Sequence, residues 1–102
     1  MKYLITAKPG TTPIPREQGA VLLQAGLDWL NARLADGTLD NAYNIIGGGG
    51  TGIGNAETHE ELLGFLLEYP LYPFFSWEIT PLLDLDESLK GYIALYKRLG
   101  SA

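Results

Sequence analysis

Apolar positions along the chain switch between a period of two and a period of three to four, and each switch marks an element. Lys2 to Lys8 alternates, with Tyr3, Ile5 and Ala7 on one side and Leu4 and Thr6 on the other, which predicts a strand covered on both faces. Pro9-Gly10 to Pro15 is an extended connector, and Pro15 suits the first turn of a helix. From Arg16 to about Ala35, Leu23, Leu27, Leu30 and Leu34 fall at helical spacing, with Trp29 alongside, and Asp36-Gly37 supplies the stop. Thr38 to Ile46 predicts a second strand, with Tyr43 and Ile45 on one face and Ala42, Asn44 and Ile46 on the other.

Residues 47 to 54 hold six glycines in eight positions, which predicts a hairpin or bulge leading into a short third strand near Thr51 to Asn55. Thr58-His-Glu-Glu61 is a capping box for a second helix whose apolar face is Leu62, Leu63, Leu66 and Leu67. Pro70 and Pro73 end that helix and push the chain toward extended geometry, so a fourth strand is expected from Phe74. One of its faces carries Phe75, Trp77 and Ile79; the other carries Phe74, Ser76, Glu78 and Thr80, part apolar and part hydrogen-bonding, the composition of a pocket wall. A third helix opens at Asp86, with Leu89, Tyr92, Ile93, Tyr96 and Leu99 at helical steps and Lys97 and Arg98 at the end where cations are favoured.

The order strand, helix, strand, strand, helix, strand, helix predicts an α+β fold: a ferredoxin-like βαββαβ unit with an extra C-terminal helix. The length of 102 residues fits one domain spanning 1–102. In such a fold the two main helices cover one face of the sheet. The opposite face, expected to carry Tyr, Phe, Leu and Ile side chains, would lie open in a monomer, so a homodimer is expected, sheet against sheet, with a cavity between sheet and partner or inside each half.

Composition narrows the partners. A net charge of −5 works against binding a phosphate backbone, so nucleic acid is not expected. Without cysteine there is no disulfide framework, thiolate nucleophile or Cys-ligated metal, and His59, the one histidine, excludes a multi-histidine metal centre. The apolar opening gives way to Lys8-Pro9-Gly10 too early for a signal-peptide core, and no apolar run approaches bilayer length, so no membrane partner and a cytoplasmic location are expected.

The glycine run lies between two predicted strands with no P-loop lysine, which favours a hairpin whose missing side chains leave room for a ligand or a neighbouring backbone. His59 reads as a solvated first-turn residue, and Glu57, Glu60 and Glu61 as charges stabilised by the helix N-terminus. Glu78 has apolar neighbours, and a partly dry setting would raise its pKa toward that of a general base for carbon-acid chemistry. Alternatively it ends a strand in water, paired with Lys2 or Lys8. Tyr43 and Asn44 could donate to a carbonyl or enolate oxygen, or Tyr43 could be ordinary core.

Tyr69-Pro-Leu-Tyr-Pro73 followed by Trp77-Glu78-Ile79 resembles the muconolactone isomerase family, as do the long first helix closing at Gly37-Thr38 and the strand ending Ile45-Ile46-Gly47. The resemblance implies a dimeric α+β barrel of ferredoxin-like subunits, assembling further into decamers, without metal or cofactor. It implies a 1,3-proton shift on a lactone of aromatic catabolism, and Glu78 matches a family acidic position on the fourth strand. Asn41 and Asn44 stand where the family carries His and Arg, so the counter-charge for a carboxylate-bearing lactone is missing; the polyglycine hairpin and third helix also differ. Two readings follow. One is a cofactor-independent, isomerase-like enzyme for a small lactone or carbonyl compound, with Glu78 as base, Tyr43 or Asn44 polarising the oxygen, and Phe74 and Ser76 on the pocket wall. The other is a non-catalytic dimeric module for small-ligand binding or assembly. An open hollow before Glu78 favours the first, and a solvated or ion-paired Glu78 the second.

Overall fold

The alternation at the N-terminus forms strand β1 (Lys2–Pro9), the central support of a four-stranded sheet in the computed structural model, which describes residues 1–101. A 3-10 turn at Arg16–Gln18 leads into helix α1 (Gly19–Asp36). Gly37 closes that helix in the left-handed region (φ 83°), the conformation that only glycine adopts at little cost. Strands β2 (Leu39–Asn44) and β3 (Gly50–Asn55) follow, then helix α2 (His59–Leu67), a 3-10 turn at Tyr72–Phe74, strand β4 (Phe75–Leu82) and helix α3 (Leu85–Gly100). The sheet order is β2-β3-β1-β4 with every neighbour antiparallel. This is the expected α+β, ferredoxin-like arrangement with its additional terminal helix.

Local chemistry sets the boundaries. The Thr58 hydroxyl accepts from the Glu61 N–H at 3.0 Å and starts α2, while Asp84 accepts from Glu87 N–H at 3.0 Å and starts α3. The turn between β2 and β3 needs positive φ at Gly47, Gly48 and Gly49, and at Gly49 a Cβ would lie 2.0 Å from the Ala7 carbonyl oxygen. One expectation is corrected here. Phe74 belongs to the 3-10 turn, its N–H donating to Leu71 O at 3.0 Å and its carbonyl accepting from Gly10 N–H at 3.0 Å, so β4 begins one residue later.

The core lies between the helices and one face of the sheet: Tyr3, Ile5, Leu39, Ala56, Leu62 and Leu66 are buried together, and Trp29, Phe65 and Trp77 pack against them. Tyr3 is the most enclosed, at 1% exposure, and its hydroxyl meets His59 Nδ1 at 2.7 Å. Helix α3 contributes nothing to this core. None of its residues is buried, and the molecule measures 66 × 28 × 23 Å, with a radius of gyration of 17.8 Å against roughly 13 Å for a compact chain of this length.

Among the described residues no helix is long and apolar enough to cross a membrane, and no group of three or more His, Cys, Asp or Glu could hold a metal ion.

Candidate functional site

Antiparallel register decides what each face of the sheet can do. Tyr3, Ile5 and Ala7 of β1 pair with Gly54, Gly52 and Gly50 of β3, and Ile5 and Ala7 pair with Ile79 and Trp77 of β4. Side chains on paired residues share a face, so the helix-facing side of β3 is bare. At Gly52 that bareness is obligatory, because a Cβ would come within 2.5 Å of the Asn41 carbonyl oxygen, a backbone atom; at Gly54 it would press on Ile5 Cδ1 at 2.7 Å, a side-chain end that can shift.

Above this glycine stripe α1 stands off the sheet and leaves a hollow of about 510 Å³, a size suited to a small ring compound. Its walls are aliphatic and aromatic, chiefly Leu23, Leu27, Leu30, Phe75 and Trp77, with Asn31, Asn44 and Tyr69 as polar contributions. Among the described residues no carboxylate, histidine, lysine or arginine lines it. Burial pushes the Tyr69 hydroxyl above the ordinary phenol pKa, so it stays a neutral donor at physiological pH. Trp29 stacks on Phe65 at 5.9 Å between centroids, lies 5.1 Å from the Tyr69 ring and carries the Arg33 guanidinium 5.7 Å over its face. Its Nε1–H is buried with no hydrogen-bond partner among the described residues, an uncompensated donor at the hollow's inner wall.

Glu78 sits elsewhere. It is paired in register with Thr6, and the row continues through Thr51 to Tyr43 on the sheet face turned away from the helices. The partly dry setting expected for it is corrected: its side chain is 62% exposed, with one carboxylate oxygen 3.0 Å from Lys8 Nζ. Strand alternation is the cause, since Phe75 and Trp77 take the helix side and leave Ser76 and Glu78 on the other. The expected pocket wall is corrected in the same way. The hollow meets Phe75 and Trp77, while Phe74, Ser76 and Glu78 do not line it. Of the anticipated site residues, the structure brings Asn44 to the hollow's rim, sets Tyr43 beside it with its side chain on the opposite face of the sheet, and keeps Glu78 three strands from both, about 14 Å at ordinary strand spacing.

The open face is also more polar than expected. It presents Lys2, Thr6, Lys8, Thr51 and Glu78 around Leu4, Ile53 and Leu82, because the large aromatic residues Tyr3, Phe75 and Trp77 went to the helix side. Charges at its far edge are matched: Lys2 Nζ lies 2.5 Å from Asp40, whose carboxyl is held below the usual range by that contact and by Asn55.

No protein-family model matches the sequence, and no curated protein matches it. Solved structures do. A crystal structure of muconolactone isomerase superposes with a TM-score of 0.72 at 16% identity, covering 82% of this chain and 90% of that one. The 5-chloro-2-hydroxyhydroquinone dehydrochlorinase of Burkholderia phenoliruptrix AC1100, in complex with 2,5-dihydroxybenzoquinone, gives a TM-score of 0.67 at 18% identity, covering 85% and 98%.

The fold is that of muconolactone isomerase. The muconolactone isomerase fold therefore reaches this chain through its strand order and helix placement, at an identity where few side chains are shared. Two parts of the site escaped sequence reasoning, the recruitment of Trp29 and Tyr69 to one wall and the side of the sheet on which the hollow opens, as did the Tyr3–His59 contact in the core. The alternation Gly50-Thr51-Gly52-Ile53-Gly54 was the available signal for the side of the hollow, since glycine at every second position strips one face of a strand.

Proposed function

We propose that the chain takes a small, neutral, ring-shaped carbonyl compound into the hollow beneath α1 and acts on it as a cofactor-independent, isomerase-like enzyme. The observation that carries this reading is the hollow itself: about 510 Å³, cleared by glycines, walled by apolar and aromatic side chains, with amides and a phenol as its polar groups. Such walls favour an uncharged ring, and Asn44, Asn31 or Tyr69 can donate to a carbonyl oxygen as negative charge develops on it. In a 1,3-proton shift the α C–H bond breaks, its electron pair passes into the enolate and a proton returns at the γ carbon. With no carboxylate in the hollow, water carries the proton and the protein contributes polarisation and orientation. The fold shared with an isomerase and a dehydrochlorinase supports an activity of this kind.

That same lack of an ionisable base in the wall, together with a Glu78 that stands in water paired with Lys8, favours a second reading, a binding module that holds the ring compound without turning it over. α-Angelica lactone separates the two, because its conversion to the conjugated β isomer is a 1,3-proton shift on a small neutral lactone. Followed by proton NMR in D₂O, saturable conversion with deuterium uptake is the expected result. Saturable binding without conversion selects the binding module, and neither binding nor conversion removes both readings.

A further inference from the structure

Two tryptophans line the hollow, and their indole nitrogens are in different states. Trp77 Nε1–H donates to the Tyr72 carbonyl oxygen at 3.1 Å, so its hydrogen bond is already made. Trp29 Nε1–H is buried without an acceptor among the described residues, although the rest of its side chain is only partly buried. Folded chains rarely leave a buried donor unpaired, and an acceptor that arrives with a ligand removes the cost. Beside Trp29, with ring centroids 5.1 Å apart, stands Tyr69 on the same wall. Burial keeps its hydroxyl protonated, and no side chain or carbonyl among the described residues takes its proton in a hydrogen bond. The inner wall therefore holds two neighbouring donors that the fold itself does not use.

We propose that this wall reads the carbonyl group of the bound ring: the carbonyl oxygen points inward and accepts from both Tyr69 O–H and Trp29 Nε1–H, while the apolar part of the ring lies against Leu23 and Leu27. The indole nitrogen reaches the oxygen by a swing of the ring within its own plane. That swing preserves the stack on Phe65 and breaks no hydrogen bond, whereas the same motion at Trp77 would break its bond to Tyr72. The class of ligand follows from the donors. An indole N–H donates and never accepts, so a lactone or ketone oxygen suits it, while an alcohol or phenol brings a proton for which the indole offers no acceptor. Leu23 and Leu27 are about half exposed and give the ring an apolar surface on the open side of the hollow. The assignment rests on reading the hollow as the site of a neutral ring carbonyl compound, and it requires binding but not turnover.

Two probes separate the carbonyl from the ring: γ-valerolactone, which has no double bond to move, and 2-methyltetrahydrofuran, the same ring and methyl group without the carbonyl. With two tryptophans in the chain, ¹⁵N-labelled parent protein gives two indole signals, assigned through their stacked neighbours Phe65 and Tyr72. Titration with γ-valerolactone should move the Trp29 signal downfield to saturation, and 2-methyltetrahydrofuran should not. If the lactone shifts the backbone amides around the hollow but leaves the Trp29 signal in place, the proposal is overturned and the hollow stands as a site. A lactone that shifts no amide there removes the site, and the proposal with it. Trp29→Phe and Tyr69→Phe keep an aromatic ring and lose one donor each. Each should weaken γ-valerolactone binding about fivefold and leave that of 2-methyltetrahydrofuran within about twofold. An equal loss for both compounds means that the side chains only fill space, and overturns the proposal as well; should a variant fail to fold, the titration of the parent decides alone.

Discussion

The two faces of the sheet are built from the same strands and do opposite jobs. The helix side gathers Tyr3, Ile5, Trp77 and the glycine stripe of β3, so it is tightly filled at one end and hollow at the other. On the outer side threonines, lysines and Glu78 are interspersed with Leu4, Ile53 and Leu82, and the charges there find partners within the chain. Apolar alternation alone does not tell which face holds a site. What distinguishes them is where volume is missing, and in this sheet the missing volume lies on the side that also carries the aromatic residues.

The sharpest way to break this comparison is to empty the filled end. Tyr3→Ala removes the most enclosed large side chain and leaves His59 without its partner, so a loss of about 3–5 kcal/mol is expected. That is a large share of the roughly 5–15 kcal/mol that holds a small domain together. Tyr3→Phe keeps the ring and loses only the hydroxyl contact, which should cost about 1 kcal/mol. Urea unfolding of the two variants checks both, and equal losses would mean that the hydroxyl, not the ring, anchors the core.

A smaller effect is expected at the empty end. Gly52→Ala puts a Cβ 2.5 Å from the Asn41 carbonyl oxygen, a backbone atom that cannot swing aside, so the β2–β3 pairing must shift at about 1–3 kcal/mol. Because Gly52 also lines the hollow, binding of α-angelica lactone should weaken in the same variant. A variant as stable as the parent, with unchanged binding, would show that the glycine stripe neither clears the hollow nor permits the close strand approach.

Much of this was legible in the sequence. Period changes at Gly37, Gly47 and Pro70 delimit the elements, and their order gives the ferredoxin-like sheet. Tyr69-Pro-Leu-Tyr-Pro73 pointed to the fold later found in solved structures, even though its last turn runs one residue further than the prolines suggest. The site was harder to read because a strand with apolar residues on both faces gives no local signal for which one the helices will cover. Phe75 and Trp77 made one face look like core and left Glu78 on a face that looked like a pocket; the helices did cover the Phe75 side, but α1 rides high over the glycines and the cavity opened there instead. Desolvation of a carboxylate depends on what lies opposite it, and for Glu78 that is Lys8 and water.

The finest discrimination between the faces comes from Glu78 itself. An exposed pair between lysine and carboxylate contributes little, because solvent screens the attraction and two long side chains must be held in one geometry, so Glu78→Gln should change stability by less than about 0.5 kcal/mol. If the hollow beneath α1 is where the ring compound reacts, the same substitution leaves the conversion of α-angelica lactone within about twofold of the parent, corresponding to under roughly 0.5 kcal/mol in activation free energy. A tenfold or larger fall in rate, with the fold intact and lactone binding unchanged, would instead move the chemistry to the outer face.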